Sequence, residues 1–100
     1  MRALVQSCVK FQAKAGCEEA LIAAIKGRDR SKQKCKSWTV MSLNDGVVMV
    51  LLGYDSIEDI LADQDDSLAW LDSADHLIEK LPDGSRTKAY SGIIIDQGNQ

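Results

Sequence analysis

His76 is the only histidine in the chain, and so the only side chain whose unperturbed pKa lies near neutrality; it is the first candidate for a general base or an axial ligand. Asp72, Asp75 and Glu79 surround it in sequence, a polar setting that suits a solvated imidazole better than a catalytic one. Asp72, one helical turn away, could raise the pKa of His76 if the pair lined a cavity. Trp70 and Trp38 are large apolar groups with one donor each. Trp70 reads as core or lid before it reads as catalytic, and Trp38 as a marker of a cavity mouth or a dimer surface. Cys17, at a helix start, could be a thiolate of lowered pKa, but it also opens an apolar stripe, which favours an inert core cysteine. Cys8 and Cys35 have no evident acid or base partner.

These residues must be positioned by a single small domain spanning residues 1–100. With 45% hydrophobic residues the chain can bury a core, although at this length a dimer interface would help. Three cysteines without a C-x-x-C pair suggest neither a disulfide framework nor a zinc site. A net charge of −3 argues against nucleic acid as the main partner. No apolar run reaches the roughly 20 residues of a membrane span and no signal peptide is recognisable, so a cytoplasmic location is expected. Charge is unevenly spread. Lys26, Arg28, Arg30, Lys32, Lys34 and Lys36 crowd one connection, while 55–83 holds ten acids against the single base Lys80. The connection reads as solvated, with two functional versions open: an ion pair with the acidic region of another protomer, or steering of an anionic ligand.

The pattern of elements is strand, helix, strand, then strand, helix, strand. Apolar residues alternate over 3–13, and Cys17, Ala20, Leu21, Ala24 and Ile25 form a helical stripe ended by Gly27. Asn44-Asp45-Gly46 joins a strand at 37–43 to one at 47–54, because these residue types accept the positive φ of tight reversals. Ser56-Ile57-Glu58-Asp59 has the form of a capping box, followed by Ile57, Ile60 and Leu61 as a buried stripe. The cluster 63–67 lacks apolar residues and should interrupt the helix, which then resumes with Trp70, Ala74, Leu77 and Leu81 on one stripe. Pro82-Asp83-Gly84 ends it, and 87–96 forms the last strand. The expected fold is α+β: a ferredoxin-like βαββαβ domain whose four-stranded antiparallel sheet carries both helices on one face. Val47, Met49 and Leu51 alternate with Val48, Val50 and Leu52, so one apolar set packs under the helices and the other needs a partner; a homodimer is expected.

At this point the chain resembles the dimeric α/β-barrel superfamily, which includes antibiotic-biosynthesis-type and haem-degrading monooxygenases. The resemblance spans 3–96 and is carried by element order, by the Gly16-Cys17-Glu18-Glu19 helix start and by the segment Trp70-Leu71-Asp72-Ser73-Ala74-Asp75-His76. It implies a cavity between sheet and helices that takes small hydrophobic, often polyaromatic, molecules. The haem-degrading members use an Asn on the first strand, a Trp in the second helical region and a His beyond it. Trp70 and His76 could fill the latter roles, but Gln6 or Ser7 stands where the Asn is expected. An unbroken helix would also turn Trp70 and His76 about 120° apart, at about 100° per residue.

The favoured function is thus a cofactor-independent, monooxygenase-like enzyme on a small aromatic or quinol-type compound, with His76 and Trp70 as catalytic candidates and Trp38, Tyr54 and Gln6 at the ligand. The alternatives are a non-catalytic binder of a small hydrophobic ligand and a dimerisation module; haem cleavage ranks lower. RNA binding ranks lower still, because the strand 47–52 lacks stacking aromatics. No Ser-His-Asp set, phosphate loop or metal-ligand cluster is visible in the sequence, so no cofactor or metal is expected. An open cavity of a few hundred cubic ångströms would support the first two classes; side chains filling that space would support the dimerisation module.

Overall fold

Alternating apolar residues make the centre of the sheet, and the reversal at mid-chain sets its register. The computed structural model describes residues 4–100. Its strands are β1 (Val5–Gln12), β2 (Ser37–Ser42), β3 (Val47–Tyr54) and β4 (Lys88–Ile93), antiparallel in the order β2-β3-β1-β4. The helices are α1 (Glu18–Lys26), α2 (Ile57–Ala62) and α3 (Gln64–Ala74). This is the expected ferredoxin-like α+β fold; residue 3, where the alternation begins, lies outside the described residues. Asp45 and Gly46 take φ of 62° and 74° in the β2–β3 connection, the left-handed positions that Asn-Asp-Gly predicts. Among the described residues, no helix is long and apolar enough to cross a membrane.

Register assigns the two faces of the sheet. Val9 pairs with Val50, and Val50 with Val40, so Val9, Phe11, Val48, Val50 and Leu52 share the helix side. They pack with Leu21 and Ile25 of α1 and with Ala74 and Ile78, and Leu21, Val48 and Ile78 are fully buried. Cys8, Met41, Val47, Met49 and Leu51 lie on the opposite side.

Three expectations are corrected. The helical stripe through Leu81 stops at Ala74. The Ser73 hydroxyl donates to the Trp70 carbonyl at 2.6 Å, drawing on a helix acceptor, and 75–77 tighten into a 3-10 turn. Ile78 then leaves the helix to form a β-bridge with Ala13, so its side chain enters the core from extended backbone. The second correction concerns α2. Ser56 caps it by accepting from the Asp59 N–H at 3.2 Å, but Ile57 and Leu61, expected on its buried stripe, are exposed.

The third correction is the most consequential: the basic connection is docked, not free in solvent. Asp63, the only residue between α2 and α3, is buried and holds that connection in place. Its two side-chain oxygens accept from the Lys34 N–H at 2.9 and 3.0 Å, and one accepts from the Tyr54 hydroxyl at 3.0 Å. Arg28 pairs with Asp66 at 2.9 Å, and Gln33 donates to the same carboxylate at 2.9 Å. The acidic cluster therefore breaks the helix only at Asp63, continues as the first turn of α3, and binds the basic connection of its own chain.

Burial and the Asp63 hydrogen bond hold the Tyr54 hydroxyl protonated well above its ordinary range. A raised pKa contributes its full share of stability below about pH 10, the ordinary tyrosine value, and loses it as pH rises further, because only the unfolded state ionises there. Tyr54→Phe should therefore cost about 1–3 kcal/mol at neutral pH, from the hydrogen bond removed at Asp63. It should also flatten the alkaline limb of a urea-denaturation series. An unchanged alkaline limb would show that Tyr54 does not link folding to pH.

Candidate functional site

A cavity lies on the helix side of the sheet, where β1 and β3 face α1 and α3. Val9, Val50 and Leu52 form its floor, Ile25 one side, and Trp70 with Leu71 the other. Phe11 meets Trp70 edge-on, with ring centroids 6.0 Å apart at 80°. Arg28, Arg30 and Ser67 supply the polar part of the wall. The cavity volume is about 60 Å³, room for a water or two and well below the roughly 300–1,000 Å³ of typical ligand sites. This falls short of the few hundred cubic ångströms expected for an enzyme or a binder; side chains fill most of the space, the outcome expected of a dimerisation module, and an aromatic ring would enter only if the half-buried Trp70 moved aside.

The two arginines set the electrostatics. The Arg28 side chain is only 11% exposed and its guanidinium lies 5.3 Å from the centre of the Trp70 ring, a cation–π distance. Its Nη2 donates to Asp66 at 2.9 Å and to Ser67 Oγ at 3.3 Å, while its Nε is buried without a hydrogen-bond partner. Arg30 lies 5.2 Å from the centre of the Trp38 ring and donates to Gln33 at 3.0 Å. Burial, and next the neighbouring Arg28 charge, push the Arg30 pKa down, as expected for two cations drawn together under low-dielectric walls. The Arg28 hydrogen bond holds Asp66 below the usual carboxylate range. Burial pushes the Cys35 thiol up, away from the reactive thiolate.

Of the residues singled out in the sequence, Trp70 is in the cavity wall and Trp38 stands beside it, exposed, behind Arg30. Tyr54 is on the helix side but turns its hydroxyl to Asp63. Gln6 lies on the opposite face of the sheet from the cavity. His76 sits exposed on the 75–77 turn and is not a wall residue. Its sequence neighbours are otherwise engaged, since Arg86 pairs with Asp72 at 2.7 Å and with Asp75 at 3.5 Å. Sequence reasoning did not pick out Arg28, Arg30 and Ser67 as site residues. The only hint was the basic connection, whose members are equivalent in sequence until docking selects two of them. A second, shallower depression of about 640 Å³ lies beside the β2–β3 turn among Gln12, Lys14, Glu18, Asp45 and Glu79, open to solvent and of mixed charge.

The element order and sheet topology define a ferredoxin-like α+β domain. A provisionally named antibiotic biosynthesis monooxygenase from Chloroflexus aurantiacus superposes with a TM-score of 0.74 at 18% identity, over 97% of this chain and 98% of that one. A protein of the same provisional name from Deinococcus radiodurans gives 0.71 at 15% identity, over 97% and 98%. One from Nitrosomonas europaea gives 0.73 at 13%, over 93% and 100%. At these identities the likeness is one of fold. No protein-family model matches the chain, and no curated protein matches it in sequence.

Replacing Trp70 by Ala should remove the Phe11 edge contact and the surface beneath Arg28. A cost of about 2 kcal/mol is expected, below the 3–5 of a fully buried tryptophan because the ring is half-exposed. The vacated space should take up benzene, detectable as a ligand-induced rise in melting temperature. A loss under about 0.5 kcal/mol, within the range of ordinary surface changes, would show that the ring does not pack there.

Proposed function

We propose that the protein is a homodimeric, cofactor-independent, monooxygenase-like enzyme acting on a small aromatic or quinol-type compound held between sheet and helices. The observation that carries this reading is the apolar cavity walled by Trp70 and rimmed by Arg28 and Arg30, in a fold shared with proteins named as monooxygenases. Oxygenation without a bound cofactor needs a substrate that reacts with dioxygen once deprotonated. The protein then contributes position, a dry environment and stabilisation of the anion. Two guanidinium groups at the rim would favour the phenolate over the phenol, with solvent taking the proton. A quinol and dioxygen would then yield a hydroxyquinone and water, the ring supplying every electron that dioxygen accepts. The second reading, a non-catalytic binder using the same cavity, is favoured by one feature: among the described residues, no carboxylate or imidazole lies in the cavity wall to act as a base.

The dimer in this proposal uses the sheet face turned away from the helices. Met41, Val47, Met49 and Leu51 cluster on its β2–β3 half, whereas Lys10 and Lys88 sit side by side on the β1–β4 half. A second copy would cover the first half and leave the second nearer water.

An oxygen-electrode assay over a panel of hydroquinones and naphthoquinols, with no added cofactor, tests the catalytic reading. Oxygen uptake should exceed the autoxidation rate and fall at least about tenfold, roughly the loss of one stabilised charge, in Arg28→Gln. Uptake equal to autoxidation across the panel would leave the binder and the dimerisation module. Leu51→Glu should turn a dimer into a monomer in sedimentation velocity, and a wild-type protein that is monomeric at micromolar concentration would end the dimer proposal.

A further inference from the structure

We infer that the cavity selects its ligand by charge and takes the anionic form of a small planar aromatic, its delocalised oxyanion seated between Arg28 and Arg30; this rests on the proposal that the cavity is the ligand site. Both charged side chains in the wall are cations, and among the described residues no acid lines it. Arg28 is the better placed. A guanidinium presents five N–H donors, and among the described residues the side-chain hydrogen bonds of Arg28 both leave from Nη2, toward Asp66 and Ser67. Its Nε is buried and has no hydrogen-bond partner. Arg30 donates from Nη1 to the neutral Gln33, and among the described residues it has no carboxylate within ion-pair distance.

The apolar requirement comes from the rest of the wall. Val9, Val50, Leu52 and Leu71 offer no hydrogen bonds, so a hydrated inorganic anion would lose water there without compensation. A ring carrying one carboxylate, phenolate or enolate meets both conditions once Trp70 swings aside to admit it, because its flat body then replaces part of the Trp70 contact while its oxygens reach the guanidinium groups. Asp66 is half-exposed and is the internal competitor: while it holds Arg28 Nη2, it neutralises part of the charge a ligand would use. Weakening Asp66 should therefore strengthen the ligand.

The test is an NMR titration of ¹⁵N-labelled protein with benzoate and with benzamide, a neutral molecule of the same shape, following the Arg28 Nε–H and the Trp70 indole N–H. Benzoate should move both signals and bind at least about tenfold more tightly than benzamide, as charge-assisted hydrogen bonds require. Arg30→Gln should reduce that preference severalfold, and Asp66→Asn should tighten benzoate without affecting benzamide. Arg28→Gln removes packing as well as charge, so the discriminating variants are Arg30→Gln and Asp66→Asn. Equal affinity for the two probes overturns the inference and leaves a cavity for neutral aromatics. If neither probe moves either signal, the inference falls together with the ligand-site proposal beneath it.

Discussion

One buried carboxyl group organises the half of the molecule that matters for function. Asp63 gathers the Tyr54 hydroxyl from the end of β3 and the Lys34 N–H from the connection after α1, and stands at the junction of two helices. A buried acceptor without donors would be costly, so these bonds are close to obligatory once the chain has folded. Their consequence is geometric. With 28–36 fixed against the start of α3, Arg28 and Arg30 come to lie over the cavity instead of extending into solvent.

The same docking explains why opposite charges concentrated in two separate segments coexist without mismatch. Asp66 takes both Arg28 and Gln33, and Asp63 takes backbone, so the acidic first turn of α3 serves as a receptor for the basic loop of its own chain. Exposed ion pairs of this kind contribute little each. Their value here lies in position, because they hold two guanidinium groups beside Trp70 and Trp38. The apolar floor beneath them is built from alternate residues of β1 and β3, and the other alternates form the face turned away from the helices.

The two ends of the βαββαβ pattern differ in how well the pattern alone describes them. In the first half, period-two strands, a clean helical stripe and Asn-Asp-Gly at the reversal each act within a few residues, and the structure follows them closely. In the second half the stripe from Trp70 to Leu81 is genuine in spacing, yet the chain abandons the helix after Ala74 because Ile78 is worth more as a bridge to Ala13, buried in the core, than as one more helical residue. Ile57 and Leu61 look like core by type but are exposed on α2.

The sequence by itself determined the element order, the turn, the parity of the strands and hence which residues share each face, because those properties depend on local backbone preference and alternation. It also marked Trp70, which packs wherever a large apolar ring is brought against Phe11. Strand parity alone already turns Gln6 away from the cavity; only the tertiary structure decided that His76 stands apart from it, that Tyr54 is spent on Asp63, and that two cations out of an undifferentiated basic run become its polar rim. The capture of the basic run turns on hydrogen bonds between residues 29 positions apart, such as Lys34 with Asp63, and no local pattern encodes which of several similar charges will be caught.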